Sequence, residues 1–226
     1  MKKTAVILAG GNGSRMGKNI PKQFILLDDK PVLFHTIETF LDAYDDLDII
    51  LVLPEEHLLF WKNELPEFWL ERIRITVGGN TRFASVKNGL KLAGDAEVIF
   101  VHDGVRCLVS ETLIRHCYEE ALIHGSAIPS ITPVDSMRIT TFEGSEIVDR
   151  NLLRMVQTPQ TFLADILLPA FKQEYEEGFT DEASVVEKSG EKIHLVEGEL
   201  TNIKITRPID LEVAQAILNW KKKSQD

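Results

Sequence analysis

Residues able to handle phosphate cluster near the start of this chain. The stretch Ala9-Gly10-Gly11-Asn12-Gly13-Ser14-Arg15-Met16-Gly17 is followed closely by Pro21-Lys22-Gln23-Phe24. Glycines let a backbone approach an anion and aim its N–H groups at it, while Arg15 and Lys22 supply positive charge. Two common phosphate motifs fail on inspection. A dinucleotide fingerprint counted from Gly11 meets Met16 where its third glycine belongs. A P-loop reading ends in Gly17-Lys18-Asn19, with no Ser or Thr after the lysine, and puts Asn12 in place of its first glycine. A tight turn carrying two solvated cations accounts for the same letters.

Two more such stretches follow, Gly78-Gly79-Asn80-Thr81-Arg82-Phe83-Ala84-Ser85 and His102-Asp103-Gly104-Val105-Arg106. The elements around them set their positions. Short apolar runs predict buried strands over 4–9, 48–53, 73–77 and 98–102. Helical spacing predicts helices over 32–44, 57–70, 82–93 and 111–124. This alternation indicates an α/β fold, a mostly parallel twisted sheet with helices on both faces. Ligands of such sheets bind beyond the carboxyl ends of the strands, and each of the three stretches follows a predicted strand there. After residue 131 the rhythm breaks. Segments 138–142 and 147–150 about a turn at 143–146 predict a β-hairpin, either a surface feature or an arm reaching a partner subunit. Helices are expected at 162–175, 181–189 and 208–222, with Pro208 in a first turn, and a strand at 192–196. No linker or repeat divides the chain, so residues 1–226 read as one domain.

Of the 226 residues, 44% are hydrophobic and 27% charged, as expected of a globular chain with a sizeable core. The net charge of -10 argues against binding nucleic acid through a broad basic surface. It permits anionic substrates, because a few cations in a cleft outweigh distant surface acids. Cys107 and Cys117 provide neither a disulfide framework nor a four-ligand zinc site, and suit a reducing cytoplasm. The apolar run to Ala9 is too short for a signal peptide, and no run approaches the roughly 18 residues of a membrane span. Trp61 and Trp69 read as packing residues.

Together these stretches resemble the 2-C-methyl-D-erythritol 4-phosphate cytidylyltransferases of the non-mevalonate isoprenoid pathway. The resemblance continues through Val148-Asp149-Arg150, Gln157-Thr158-Pro159-Gln160, Thr180-Asp181-Glu182-Ala183-Ser184 and Asn202-Ile203-Lys204-Ile205-Thr206, in family order. It implies transfer of CMP from CTP to a sugar-alcohol phosphate, with Mg2+, by a cytoplasmic homodimer whose β-arm matches residues 137–150. By position, Arg15 and Lys22 would stabilise the α-phosphate and leaving pyrophosphate, while Arg150 and Lys204 would hold the acceptor. Ala9, Gly10, Gly11, Gly79, Asn80 and Ser85 fall at nucleotide positions, and Asp103, Arg106, Ser136, Thr158 and Thr180 at acceptor positions. Asp103 is also the one candidate metal ligand.

The chemistry is consistent with these residue types. A phosphomonoester loses its second proton near pH ~6, so the attacking oxygen needs no general base. The task is to bring two polyanions together by positioning and charge neutralisation. Plainer readings exist: Arg150 and Lys204 as surface charges, Asp103 as a helix cap, His102 as a satisfied strand-end histidine. Leu8-Ala9-Gly10-Gly11, Gly104-Val105-Arg106-Cys107 and Ser136 depart from the common family pattern, the first two toward ribitol-5-phosphate cytidylyltransferases. Ribitol 5-phosphate is therefore an alternative acceptor, and a non-catalytic nucleotide-binding regulator an alternative of another class.

Overall fold

Runs such as Ala5-Val6-Ile7 and Ile49-Ile50-Leu51-Val52 are apolar on both sides of the pleat, so their strands need cover on both faces. The computed structural model describes residues 1–10 and 22–223, without the side chain of Lys22. Its first half runs β1 (Lys3–Leu8), a small antiparallel pair β2 (Leu26–Leu27) and β3 (Lys30–Pro31), α1 (Val32–Ala43), β4 (Leu47–Leu53) and α2 (Leu58–Glu64). It continues through β5 (Ile73–Val77), α3 (Arg82–Leu90), β6 (Val98–Asp103) and α4 (Glu111–His124). The second half comprises β7 (Ser126–Ile131), β8 (Met137–Thr141), β9 (Gly144–Val148), β10 (Met155–Val156) and β11 (Gln160–Leu163). Helices α5 (Ala164–Ala170) and α6 (Glu182–Lys188), strand β12 (Leu195–Glu197) and helix α7 (Pro208–Lys223) complete it.

The main sheet has the order β10-β7-β11-β6-β1-β4-β5, with β12 on the free side of β7. Strands β6, β1, β4 and β5 are parallel, in the register Val101↔Val6↔Ile50↔Arg74. Alternation then sorts the core. Ala5, Ile7, Ile49, Leu51 and Phe100 pack with Phe40, Trp61 and Ile114 on one face. Val6, Ile50, Val52, Ile99 and Val101 pack with Val86, Leu167 and Val186 on the other.

Several expectations are corrected. The helix expected over 162–175 starts only at Ala164, because Gln160–Leu163 enters the sheet antiparallel between β6 and β7, with Phe162 opposite Ile99. Phe162 fills the core from a strand, so helical spacing and burial coincide there by accident. Strand β7 went unassigned because Pro129 interrupts its pattern. Ile128 and Ser130 face β12, which turns Pro129 toward the break between β10 and β11, where no ladder bond is lost. The helix expected over 57–70 stops at Glu64, since Leu65 precedes Pro66 and is extended (ψ 133°). Helix α4 matches its expected limits. Ser110 accepts the Leu113 N–H at 3.0 Å and Gly125 closes the helix in the left-handed region (φ 83°). Strands β8 and β9 form the expected hairpin, pairing Met137 with Val148 and Thr141 with Gly144, so the turn shrinks to Phe142-Glu143.

Candidate active site

The carboxyl ends of β1, β5 and β6 open onto one cleft of about 290 Å3. At the end of β1, the Ala9 N–H donates to the Val52 carbonyl at 2.9 Å, and buried Gln23 donates to the Ala9 carbonyl at 2.7 Å. The entry to the glycine loop is thereby pinned from both sides. After β5, Gly79 passes so close to α3 that a Cβ there would stand 2.4 Å from that of Ala84. Only glycine fits. The Gly79 N–H donates to Ser85 Oγ at 3.0 Å, and Ser85 Oγ donates to the Thr81 carbonyl at 2.9 Å. Thr81 caps α3 by accepting the Ala84 N–H at 3.0 Å. The N-terminus of α3, with its positive dipole end, thus borders the cleft at Asn80, Thr81 and Arg82.

Asp103 closes β6 and organises the charge. Its Oδ1 lies 3.3 Å from Arg82 Nη2, and its Oδ2 lies 2.8 Å from Lys204 Nζ and 3.9 Å from Arg106 Nε. Burial alone would raise this carboxyl, but the pull of Arg82, Lys204 and Arg106 prevails and holds it far below the usual carboxylate range. It is ionised at any working pH. Arg82 also pairs with Glu182 Oε2 at 2.9 Å, joining the first residues of α3 and α6. Burial pushes the Glu182 carboxyl up to about 7, with Arg82 opposing and Asp103 adding to the rise. Among the described residues, Arg82 Nη1 is buried without a hydrogen-bond partner.

His102 is settled by its surroundings. Burial pushes it down to about 3, so the ring is neutral. Thr158 Oγ1 accepts the Asp103 N–H at 3.1 Å and lies 3.1 Å from His102 Nδ1. We assign the Thr158 proton to Nδ1, which leaves Nε2–H to donate to the Arg106 carbonyl at 3.2 Å. His102 is a satisfied strand-end histidine.

Lys204 is placed by a tied-down loop. Arg106 Nη1 donates to the Asn202 carbonyl at 2.8 Å, Asn202 Nδ2 to the Thr158 carbonyl at 2.9 Å, and the Ile205 N–H to the Val105 carbonyl at 3.0 Å. Its side chain remains 43% exposed, so the ammonium is held by Asp103 while facing the cleft.

Of the residues expected from sequence, Ala9, Gly10, Gly79, Asn80, Ser85, Asp103 and Lys204 line this cleft. Arg106 and Thr158 stand behind it, engaged with backbone carbonyls and with Asp103 and His102 respectively. Thr180 is exposed just ahead of α6, its N–H donating to Ser184 Oγ at 3.1 Å. Ser136 and Arg150 line a separate hollow with Asp149 and Asn151 at the base of the hairpin, where Arg150 Nη1 donates to the Val134 carbonyl. Gly11 and Arg15 lie outside the described residues, as does the Lys22 side chain. Sequence reasoning gave no role to Gln23, Thr81, Arg82 or Glu182. The signal available for Arg82 was its place directly after Gly79-Asn80-Thr81, in the first turn of a predicted helix.

The family profile for 2-C-methyl-D-erythritol 4-phosphate cytidylyltransferase matches residues 3–220. A Bacteroides fragilis protein of that name is 48% identical over 219 residues, covering 96% of this chain and 100% of that protein. The crystal structure of 4-diphosphocytidyl-2C-methyl-D-erythritol synthase from Anaerococcus prevotii superposes with a TM-score of 0.82 at 28% identity, covering 96% of both chains. That of the 2-C-methyl-D-erythritol 4-phosphate cytidylyltransferase from Thermus thermophilus gives 0.78 at 30% identity, covering 96% of this chain and 98% of that one. A phosphate-ready cleft at the strand ends and a match along nearly the whole length lead to one assignment: the chain belongs to the 2-C-methyl-D-erythritol 4-phosphate cytidylyltransferase family.

Proposed function

We propose that this protein transfers CMP from CTP to 2-C-methyl-D-erythritol 4-phosphate, releasing pyrophosphate. An ionised acceptor oxygen attacks the α-phosphorus in line, the α–β bridging P–O bond breaks, and pyrophosphate leaves with the bonding electrons. The observation that carries this reading is the set of cations drawn around ionised Asp103 beside the N-terminus of α3. Arranging fixed positive charge before substrate arrives is what the union of two polyanions requires.

In this reading the backbone at Ala9, Gly10, Gly11 and Gly79, with Asn80 and Ser85, holds the nucleotide. Arg15 and Lys22 balance charge on the α-phosphate and leaving group, and Lys204, oriented by Asp103, receives the acceptor phosphate. Arg106 and Thr158 act through Asp103 and its loop. Arg150 and Ser136 belong to another hollow of the same chain. We assign them to the cleft of a second copy, reached by the arm at 137–150. The apolar exposure of Val134, Ile139, Phe142 and Ile147 supports a homodimer formed there.

Magnesium suits the donor set in one way. Among the described cleft residues Asp103 is the one carboxylate, and both its oxygens already face cations. The residues therefore fit an ion that arrives on the triphosphate and takes at most one protein oxygen, that of Asp103. Bound there, Mg2+ would neutralise triphosphate charge. We read residues 1–226 as one cytidylyltransferase unit working in the cytoplasm. No helix among the described residues is long and apolar enough to cross a membrane.

Pyrophosphate release from CTP tests the reading with three acceptor conditions. Turnover is expected with 2-C-methyl-D-erythritol 4-phosphate. Release only with ribitol 5-phosphate would reassign the acceptor, and silence in every tube would point to a non-catalytic nucleotide-binding protein.

A further inference from the structure

A second group of chemically capable side chains lies at the other end of the sheet. Phe162 is paired with both Ile99 and Ser126, which places Ser126 level with the start of β6, whereas Asp103 ends that strand. Beside Ser126 stand Glu120 and His124 from the last turns of α4, and His194 from the segment entering β12. Glu120 Oε2 lies 3.2 Å from His194 Nε2 and 3.5 Å from His124 Nε2. One ligand atom from each of the three falls within 4.8 Å of the others.

We propose that Glu120, His124 and His194 form a binding site for a borderline divalent cation of the Zn2+ type, which clamps the end of α4 to the β7–β12 edge. Bond lengths of about 2.0–2.2 Å to imidazole nitrogen and carboxylate oxygen place tetrahedral ligands roughly 3.4 Å apart. Two of the three ligand separations, 3.2 and 3.5 Å, are already near that value.

The donor chemistry selects the ion. Two imidazoles and one carboxylate suit Zn2+, Co2+ or Ni2+, whereas Mg2+ takes oxygen ligands. Three protein ligands leave a position for water. The thiols do not compete, because burial pushes both Cys107 and Cys117 up to about 12.

The ligands are also held in place. His194 is fixed through its backbone, its N–H donating to Ser126 Oγ at 3.0 Å and its carbonyl accepting the Ile128 N–H at 2.8 Å. Glu120 and His124 share a helix face at spacing i, i+4. One adjustment is required. The two imidazoles are stacked, with centroids 3.8 Å apart and planes 19° from parallel, while each nitrogen lone pair lies in its own ring plane. Closing on a single ion turns His124 out of the stack, and its side chain is 42% exposed and able to turn. The ion would then bridge segments 74 residues apart.

The test is Zn2+ calorimetry on the full-length protein in excess Mg2+, with Co2+ absorption as a spectroscopic probe and thermal unfolding as a third readout. One Zn2+ per chain is expected, with a visible Co2+ d–d band and a Tm raised by roughly 5 °C at saturation. His194→Ala and Glu120→Gln should each weaken Zn2+ by at least roughly tenfold and abolish the band, as loss of a ligand must. Both variants should keep Zn2+-free pyrophosphate release and the far-UV spectrum of the parent. Absence of saturable Zn2+ binding in the parent overturns the proposal and leaves a Glu–His hydrogen-bond cluster. Unchanged binding and an unchanged Tm shift in His194→Ala overturn it equally.

Discussion

Asp103 is enclosed by cations from separate parts of the chain, Arg82 on α3, Arg106 on the following loop and Lys204 ahead of α7. Ser136 and Arg150, in contrast, flank a hairpin whose strands, among the described residues, pair only with each other and whose turn residue Phe142 is fully exposed. In the first region the charged partners of Asp103 all come from the same chain. Burial makes its charges depend on one another, because an ion removed from water is tolerable only beside its partners. The second offers a cation bound to the Val134 carbonyl and side chains such as Ile139, Phe142 and Ile147 that stand exposed. The proposed homodimer accounts for the contrast: one copy would build the nucleotide half of the site and lend Arg150 and Ser136 to its partner.

The sharpest break of this contrast is a mixing experiment. Lys204→Ala and Arg150→Ala should each lower kcat by roughly 10²–10³-fold, the usual cost of a lost charge-stabilising group. If the arm serves the partner's cleft, mixing the two variants restores activity, at about a quarter of the parent for a statistical set of two-fold dimers. A mixture as inactive as its components would place Arg150 in its own chain's cleft.

Asp103→Asn sharpens the buried side. Removing the carboxylate leaves Arg82 and Lys204 without their shared partner, and urea unfolding should show a loss of about 3 kcal/mol. A midpoint within error of the parent would mean that the cluster is solvated rather than interdependent.

Protons probe the same region more gently. The Glu182 carboxyl ionises at 4.5 ordinarily and at about 7 in the folded protein. Its contribution is therefore complete below 4.5 and lost as pH rises through about 7. His102 behaves in the opposite sense. It is pushed from 6.5 to about 3, so its contribution is complete above 6.5 and lost as pH falls toward 3. Glu182→Gln should make stability rise more steeply with pH between 4.5 and about 7 than in the parent, where each full proton of difference is worth about 1.4 kcal/mol per pH unit. An unchanged slope would put Glu182 in contact with water.

The smallest effect belongs to the arm. Phe142→Ser should change the unfolding free energy from urea titration by less than about 0.5 kcal/mol, since the side chain is fully exposed in the single chain. A larger loss, measured well below the concentration at which copies associate, would show that the arm supports its own fold.

Much of this was legible in the residues. Apolar runs ending in Gly10, Gly78-Gly79 and Asp103-Gly104 marked both the central strands and the loops bearing the cleft, because a strand buried on both faces has no other composition. Helix α4 has the limits expected from its spacing, and Ser110 and Gly125 cap both ends locally. What failed depended on distant partners. Gln160–Leu163 is a strand because β6 and β7 leave a place between them, and β7 accommodates Pro129 because the neighbouring ladder is already broken.

Short-range pattern is enough to set the α/β class, the strand-end loops and the residue types needed for phosphoryl chemistry. Tertiary structure alone decided which cations meet. It joined Arg82 to Asp103 and Glu182, turned Arg106 away from the cleft toward the Asn202 carbonyl, and separated Arg150 from Lys204. Charge interactions act over a few ångströms in space and carry no trace of separation along the chain, so only the folded arrangement shows them.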